Sequence, residues 1–164
     1  YLMAARPAWN SFTLPLMYLG VGLGMGMLLM AGLVLLRGDA AEEGSFALKL
    51  ALAGVAAMVV VSVAYVAWIA MAPYQAASRS IERLISGDYA LAFWLGVVVV
   101  GLAVPAALAG MAYAKAGKDA GALVKPESLA AWMFAACACS AVGAIALRVI
   151  MYGVGTSVES FIYR

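Results

Sequence analysis

The chain has 164 residues, 67% of them hydrophobic and only 11% charged, with a formal net charge of +2 and no histidine. Soluble domains carry about 25% charged residues, so the polar residues here would not cover a water-soluble globule. Scattered Lys and Arg with so small a net charge exclude a nucleic-acid surface, and the lack of histidine leaves no axial histidine ligand for a b-type haem in this chain.

In chain order, Arg6, Pro7, Ala8, Trp9 and Asn10 precede the first apolar run, and the chain opens on Tyr1. This start does not resemble a signal peptide, because the run that follows is too long and no small-residue cleavage pattern comes after it. It is expected to be the later part of a longer protein. Residues 14–36 are long enough to cross a hydrocarbon core of about 30 Å as a helix. Gly20, Gly22, Gly24 and Gly26 within this run form two overlapping small-xxx-small pairs, which predict close helix packing. No strand precedes them, so they are not read as a dinucleotide loop.

A second span is predicted over residues 50–72. Next comes a connector in which Ala77, Ile81, Leu84 and Ile85 recur at helical spacing, with Arg79, Glu82 and Arg83 on another flank. The pattern predicts a short amphipathic helix over 75–86, lying on the membrane surface or under a partner. A third span over 89–114 carries Gly96, Gly101, Pro105 and Gly110, which predict a kinked, closely packed helix. The fourth covers 129–153 and includes Cys137 and Cys139, whose i, i+2 spacing sets them about 200° apart on a helix, unable to bridge or share a metal. The fold class is therefore all-α: a polytopic transmembrane bundle of four spans forming one membrane domain over 1–164. Uninterrupted apolar runs fit helices and lack the alternation of a membrane barrel.

Four spans return the chain to its starting side. Face one holds the N-terminal segment, the 73–88 connector with Arg79 and Arg83, and the C-terminal tail; face two holds the 37–49 and 115–127 connections. Lys and Arg lean to face two (Arg37, Lys49, Lys115, Lys118, Lys125) over face one (Arg6, Arg79, Arg83, Arg164), which points to a cytoplasmic face two and outward-facing termini. Aromatic residues lean the other way. Tyr18, Tyr65, Trp68, Tyr89, Trp94 and Tyr152, with Tyr1, Trp9, Tyr74 and Tyr163, fall in the face-one half; only Tyr113 and Trp132 lie near face two. A lipid belt alone would serve both interfaces about equally, so face one is expected to stack a quinone ring or dock a partner.

Arg148 is the lone charge in the last span, with Tyr152 one turn later. It is read either as a snorkelling or paired structural residue or as a contact for an anion or a quinone oxygen. Glu159 in the tail is either a solvated carboxylate or a proton acceptor. No paired carboxylates lie deep in a span, and no phosphate loop, nucleophile with its base or metal-ligand cluster is present in the sequence.

Arg6-Pro7-Ala8-Trp9-Asn10 before Leu14-Pro15, the 78–88 connector leading into Tyr89-Ala90-Leu91-Ala92-Phe93-Trp94, and the terminal Leu147-Arg148-Val149-Ile150-Met151-Tyr152-Gly153 resemble, in order and spacing, the membrane-anchor subunit of dimethyl sulfoxide reductase-type molybdoenzymes. The resemblance covers the second half of that family's eight-helix anchor, its last four helices. It implies a haem-free, multi-pass subunit of the bacterial cytoplasmic membrane in anaerobic respiration. Such a subunit oxidises menaquinol and passes electrons to an iron-sulfur subunit, which feeds a molybdopterin catalytic subunit. It implies no cofactor held by this chain. The same family and the similar polysulfide reductase anchors build their quinol pocket mainly from the first four helices, which makes this portion mainly scaffold and docking surface. Arg148, Tyr152 and Trp68 are the candidates for quinol association, and Arg6, Trp9, Asn10, Arg79 and Arg83 for subunit docking. Half of a small membrane transporter and a structural assembly module are the alternative readings.

Overall fold

The computed structural model describes residues 12–38, 41–73, 75–116 and 126–154. They form α1 (Thr13–Arg37), α2 (Ala41–Met71), α3 (Gln75–Ile85), a π-helical segment (Ala92–Ala103), α4 (Val104–Ala116) and α5 (Pro126–Val154). No strand occurs among the described residues, and four helices are long and apolar enough to cross a membrane. Arg6, Trp9 and Asn10 lie outside the described residues.

Helix boundaries follow local chemistry. Pro15 sits in the first turn of α1, where a missing N–H leaves no bond unmade. Gly38 ends α1 in the left-handed conformation, φ 67°. The second helix begins well before residue 50, because Glu42 and Glu43 favour the positive end of its dipole and nothing breaks the ladder before the apolar run. At the start of α5, Pro126 occupies the first helical position and Glu127 the first turn.

Two core clusters establish the up-down-up-down arrangement. The face-one cluster joins Leu14, Met17 and Val21 of α1, Met58, Tyr65 and Ile69 of α2, Leu84 of α3, Phe93 and Val97 of the π segment, and Leu147 and Ile150 of α5. The face-two cluster is rich in alanine: Ala31, Ala47, Ala51, Ala109, Ala112, Ala130 and Ala136 with Leu28, Leu35, Leu48 and Met133. Small side chains bring helices close at face two. Larger ones fill the core at face one.

The third span is not a simple proline kink. It runs as a π-helix from Ala92 and returns to α geometry at Val104, whose N–H donates to Val99 O. Pro105 has no N–H to continue an ordinary ladder and its ring would press the carbonyl one turn back, so the change of register falls beside it. Gly101 then lies against Gly143 of α5: a Cβ on Gly101 would sit 2.8 Å from the Gly143 Cα. Gly96 likewise meets Ala146. These contacts draw the π segment toward α5, and it barely meets α2, whereas α4 packs against α2.

Of the two glycine pairs in α1, Gly20 and Gly24 face α2 at Val61, Met58 and Gly54, while Gly22 and Gly26 have no neighbour within 4 Å among the described residues. Gly110 is similarly open. Cys137 and Cys139 are both free thiols, and Cys137 Sγ donates to Met25 O at 3.6 Å.

Candidate functional site

The divergence of α2 from the π segment leaves a chamber of about 540 Å³ in the face-one half of the bundle. Val59, Ser62, Tyr65 and Val66 of α2 form one wall, and Phe93, Trp94, Val97 and Leu102 the other. Met17 of α1 with Leu147 and Met151 of α5 close the back, and Leu84 and Ile85 of α3 cap the face-one end. Its size falls within the roughly 300–1,000 Å³ of small-molecule sites. Val63 and Trp94, 61% and 48% exposed, flank a lateral opening between the helices.

The cap is fastened to two neighbouring elements and by the turn that follows it. Trp94 Nε1 donates to Ile85 O at 3.1 Å, tying the π segment to the end of α3. Arg83 Nη1 donates to Gly153 O at 3.1 Å, tying α3 to the end of α5. The same guanidinium lies 5.2 Å from the centre of the Tyr89 ring and 3.9 Å from Asp88 Oδ2. Gly153 leaves room for the Tyr89 ring, whose hydroxyl a Cβ there would meet. The turn after α3 is closed by Gly87 N–H and Ser86 N–H, both donating to Glu82 O, and by Tyr89 N–H donating to Arg83 O. On the apolar side of α3, Ala77, Ser80 and Leu84 are buried.

Inside the chamber the polar groups are few. The Tyr65 hydroxyl, in a residue 1% exposed, donates to Met151 Sδ at 3.2 Å. Ser62 lines both the chamber and a recess of about 10 Å³ at the bundle centre, which it shares with Ser140, Gly101 and Gly143. Phe93 and Trp94 stack edge to face, ring centres 5.5 Å apart at 71°. No His, Cys, Asp or Glu cluster suited to a metal occurs among the described residues.

The residues singled out from the sequence are not gathered in one place. Arg148 is exposed on α5, with its guanidinium 5.2 Å from the centre of the Tyr18 ring on α1. Tyr152 is exposed on the same side of α5, one turn on. Trp68 is half exposed on α2. None of the three lines the chamber. Arg79 is exposed on α3, and Arg83 is half-buried and engaged within the chain as described. Sequence reasoning missed Ser62, Ser140 and the α2-facing side of the π segment. The one available signal was the clustering of Gly96, Gly101 and Pro105.

The sequence model of the family described as polysulphide reductase, NrfD matches residues 2–159, nearly the whole chain. The chain belongs to this family, whose members are quinone-interacting membrane anchors of molybdoenzyme complexes and partner in general with iron-sulfur and molybdopterin subunits. No curated protein and no solved structure matches it.

Proposed function

We propose that this member of the NrfD family is part of the haem-free membrane anchor of a dimethyl sulfoxide reductase-like complex, in which menaquinol is oxidised and electrons pass to an iron-sulfur subunit and on to a molybdopterin subunit. The observation that carries this reading is the family match over residues 2–159 on a four-span helical bundle. The absence of histidine accords with a haem-free anchor, and the chain itself holds no cofactor. Oxidation of one menaquinol releases two electrons and two protons. The electrons go directly from the quinol to the partner's cluster, and the protons to the water at face one.

In this reading the protein resides in the bacterial cytoplasmic membrane with face one outward. Face one carries the docking surface: Arg79 and the α3 helix, with Arg6, Trp9 and Asn10 of the N-terminal segment. Arg83 contributes by holding α3 in place through Gly153 O. Arg148, with Tyr18 against it and Tyr152 a turn away, is the cationic group on the outward side of α1 and α5 that would contact a quinone oxygen. Trp68 would meet the quinone's apolar body from α2.

The test is to purify the protein gently in mild detergent and assay iron, molybdenum and co-purifying subunits together with quinol oxidation. Stoichiometric iron and molybdenum with two soluble subunits and quinol-dependent turnover is the expected result. A well-folded, metal-free and partner-free preparation would overturn the reading, and transport by it in proteoliposomes would make it half of a transporter.

A further inference from the structure

Two features of the bundle interior have no role in the scaffold. The first is the chamber beneath α3. The second is Ser140, 1% exposed, whose Oγ finds no hydrogen-bond partner among the described residues. A stranded hydroxyl in an apolar interior is destabilising, and its persistence points to a group supplied from outside the chain. The recess around it, about 10 Å³, has space for one water or one carbonyl oxygen. Ser62, Val97, Leu102 and Leu147 line the recess and the chamber alike. The recess is the polar inner end of the chamber.

We propose that chamber and recess form one binding site for a neutral, membrane-soluble carbonyl compound of the quinone class, with its ring in the chamber and one carbonyl oxygen accepting hydrogen bonds from the Ser140 and Ser62 hydroxyls in the recess. The proposal rests on the quinol-linked reading above and adds a site built entirely within these four spans. Charge selects the class. Among the described residues no Lys, Arg, Asp or Glu lines the cavity. Arg83, on the capping helix, is already directed to Gly153 O, Asp88 and Tyr89. A carboxylate or phosphate head entering the chamber would therefore be buried unpaired, which is prohibitive. A lipid chain entering tail first would leave Ser140 unsatisfied.

Shape agrees with charge. Val59 to Ala67 of α2 line the chamber along its length, and eight residue steps of about 1.5 Å give a slot about 12 Å long parallel to the lipid chains. Phe93, Trp94 and Tyr65 offer flat apolar surfaces to a ring. The opening between Val63 and Trp94 faces outward, so a ligand enters sideways from the bilayer and leaves its tail there.

The experiment uses the purified complex with its iron-sulfur and molybdenum subunits and, as probe, a short-chain azido-naphthoquinone, with labelled peptides mapped by mass spectrometry. Labelling is expected within residues 59–67 and 93–103 and is suppressed by excess unlabelled naphthoquinone. Ser140→Ala is expected to raise the dissociation constant about tenfold, the worth of one hydrogen bond. Ala67→Phe, which fills the chamber, is expected to abolish the labelling. Label confined to other peptides, or an unchanged dissociation constant in Ser140→Ala, overturns the site while quinol turnover by the same complex leaves the anchor reading standing. A phospholipid retained by the native protein in mass spectra and lost from Ala67→Phe also overturns it, making the chamber a structural lipid site. Should no metal-bearing subunits co-purify, the anchor reading itself fails, whatever the label shows.

Discussion

The two glycine pairs of α1 make opposite predictions for the same substitution. Gly24→Ala places a Cβ 2.8 Å from Gly54 O and against the side chain of Met58. Met58 is only 1% exposed and has little room to retreat, and the Gly54 carbonyl is backbone, so α1 and α2 must separate. Overpacking of this kind costs about 1–3 kcal/mol. Gly22→Ala meets nothing within 4 Å. Both replacements gain the same helix propensity, about 0.8–1.0 kcal/mol, so the difference between them isolates the packing contribution. At roughly 2–4 °C per kcal/mol, Gly24→Ala should unfold about 2–12 °C below Gly22→Ala in thermal melts of the detergent-purified protein followed by circular dichroism. Equal melting temperatures, or a lower one for Gly22→Ala, would refute the assignment of the α1–α2 seam to Gly20 and Gly24.

The other expectations concern the face-one end and the third span. Arg148→Leu should lower quinol oxidation while leaving subunit assembly unchanged; equal loss of both, measured on the same preparation, would reduce Arg148 to a structural partner of Tyr18. Trp9→Ala should weaken retention of the soluble subunits during gel filtration, and unchanged retention would remove the N-terminal segment from the docking surface. Arg83→Gln shortens the group that donates to Gly153 O and removes its charge, worth about 1.5–3 kcal/mol, so backbone amides of α3 should exchange about ten- to a hundredfold faster in hydrogen-exchange mass spectrometry. Gly143→Ala should destabilise the protein by about 1–3 kcal/mol because its Cβ would collide with the Gly101 Cα, whereas Gly110→Ala, with open space around it, should not lower the melting temperature.

The spans were legible because crossing a bilayer imposes a length and a composition that any window of sequence displays. The amphipathic helix was legible for a similar reason: Ala77, Ile81, Leu84 and Ile85 repeat at one period, and α3 occupies Gln75–Ile85. What the sequence could not distinguish were properties of pairs. Gly20–Gly24 and Gly22–Gly26 are identical as motifs, and only the position of α2 selects one. The π-helical register belongs to hydrogen bonds, which no periodicity over twelve apolar residues encodes; Pro105 marks where it ends without announcing that it began. Arg148 was singled out by its charge, yet a charge in a span is conspicuous in sequence whichever way its helix turns, and here it faces outward over Tyr18.

The chamber illustrates the same limit from the other side, since it is made by contacts elsewhere. Alanines at face two bring α4 onto α2, and glycines at 101 and 143 bring the π segment onto α5. The span thus keeps α5 beside it throughout and meets α2 closely only along α4, so between α2 and the π segment a slot opens. Its capping helix is then held to the π segment by Trp94 donating to Ile85 O and to the end of α5 by Arg83 donating to Gly153 O. A slot left merely by imperfect packing would need no such fastening. The cap therefore closes the face-one end of the slot, and the polar groups Ser62 and Ser140 meet at the recess beside it.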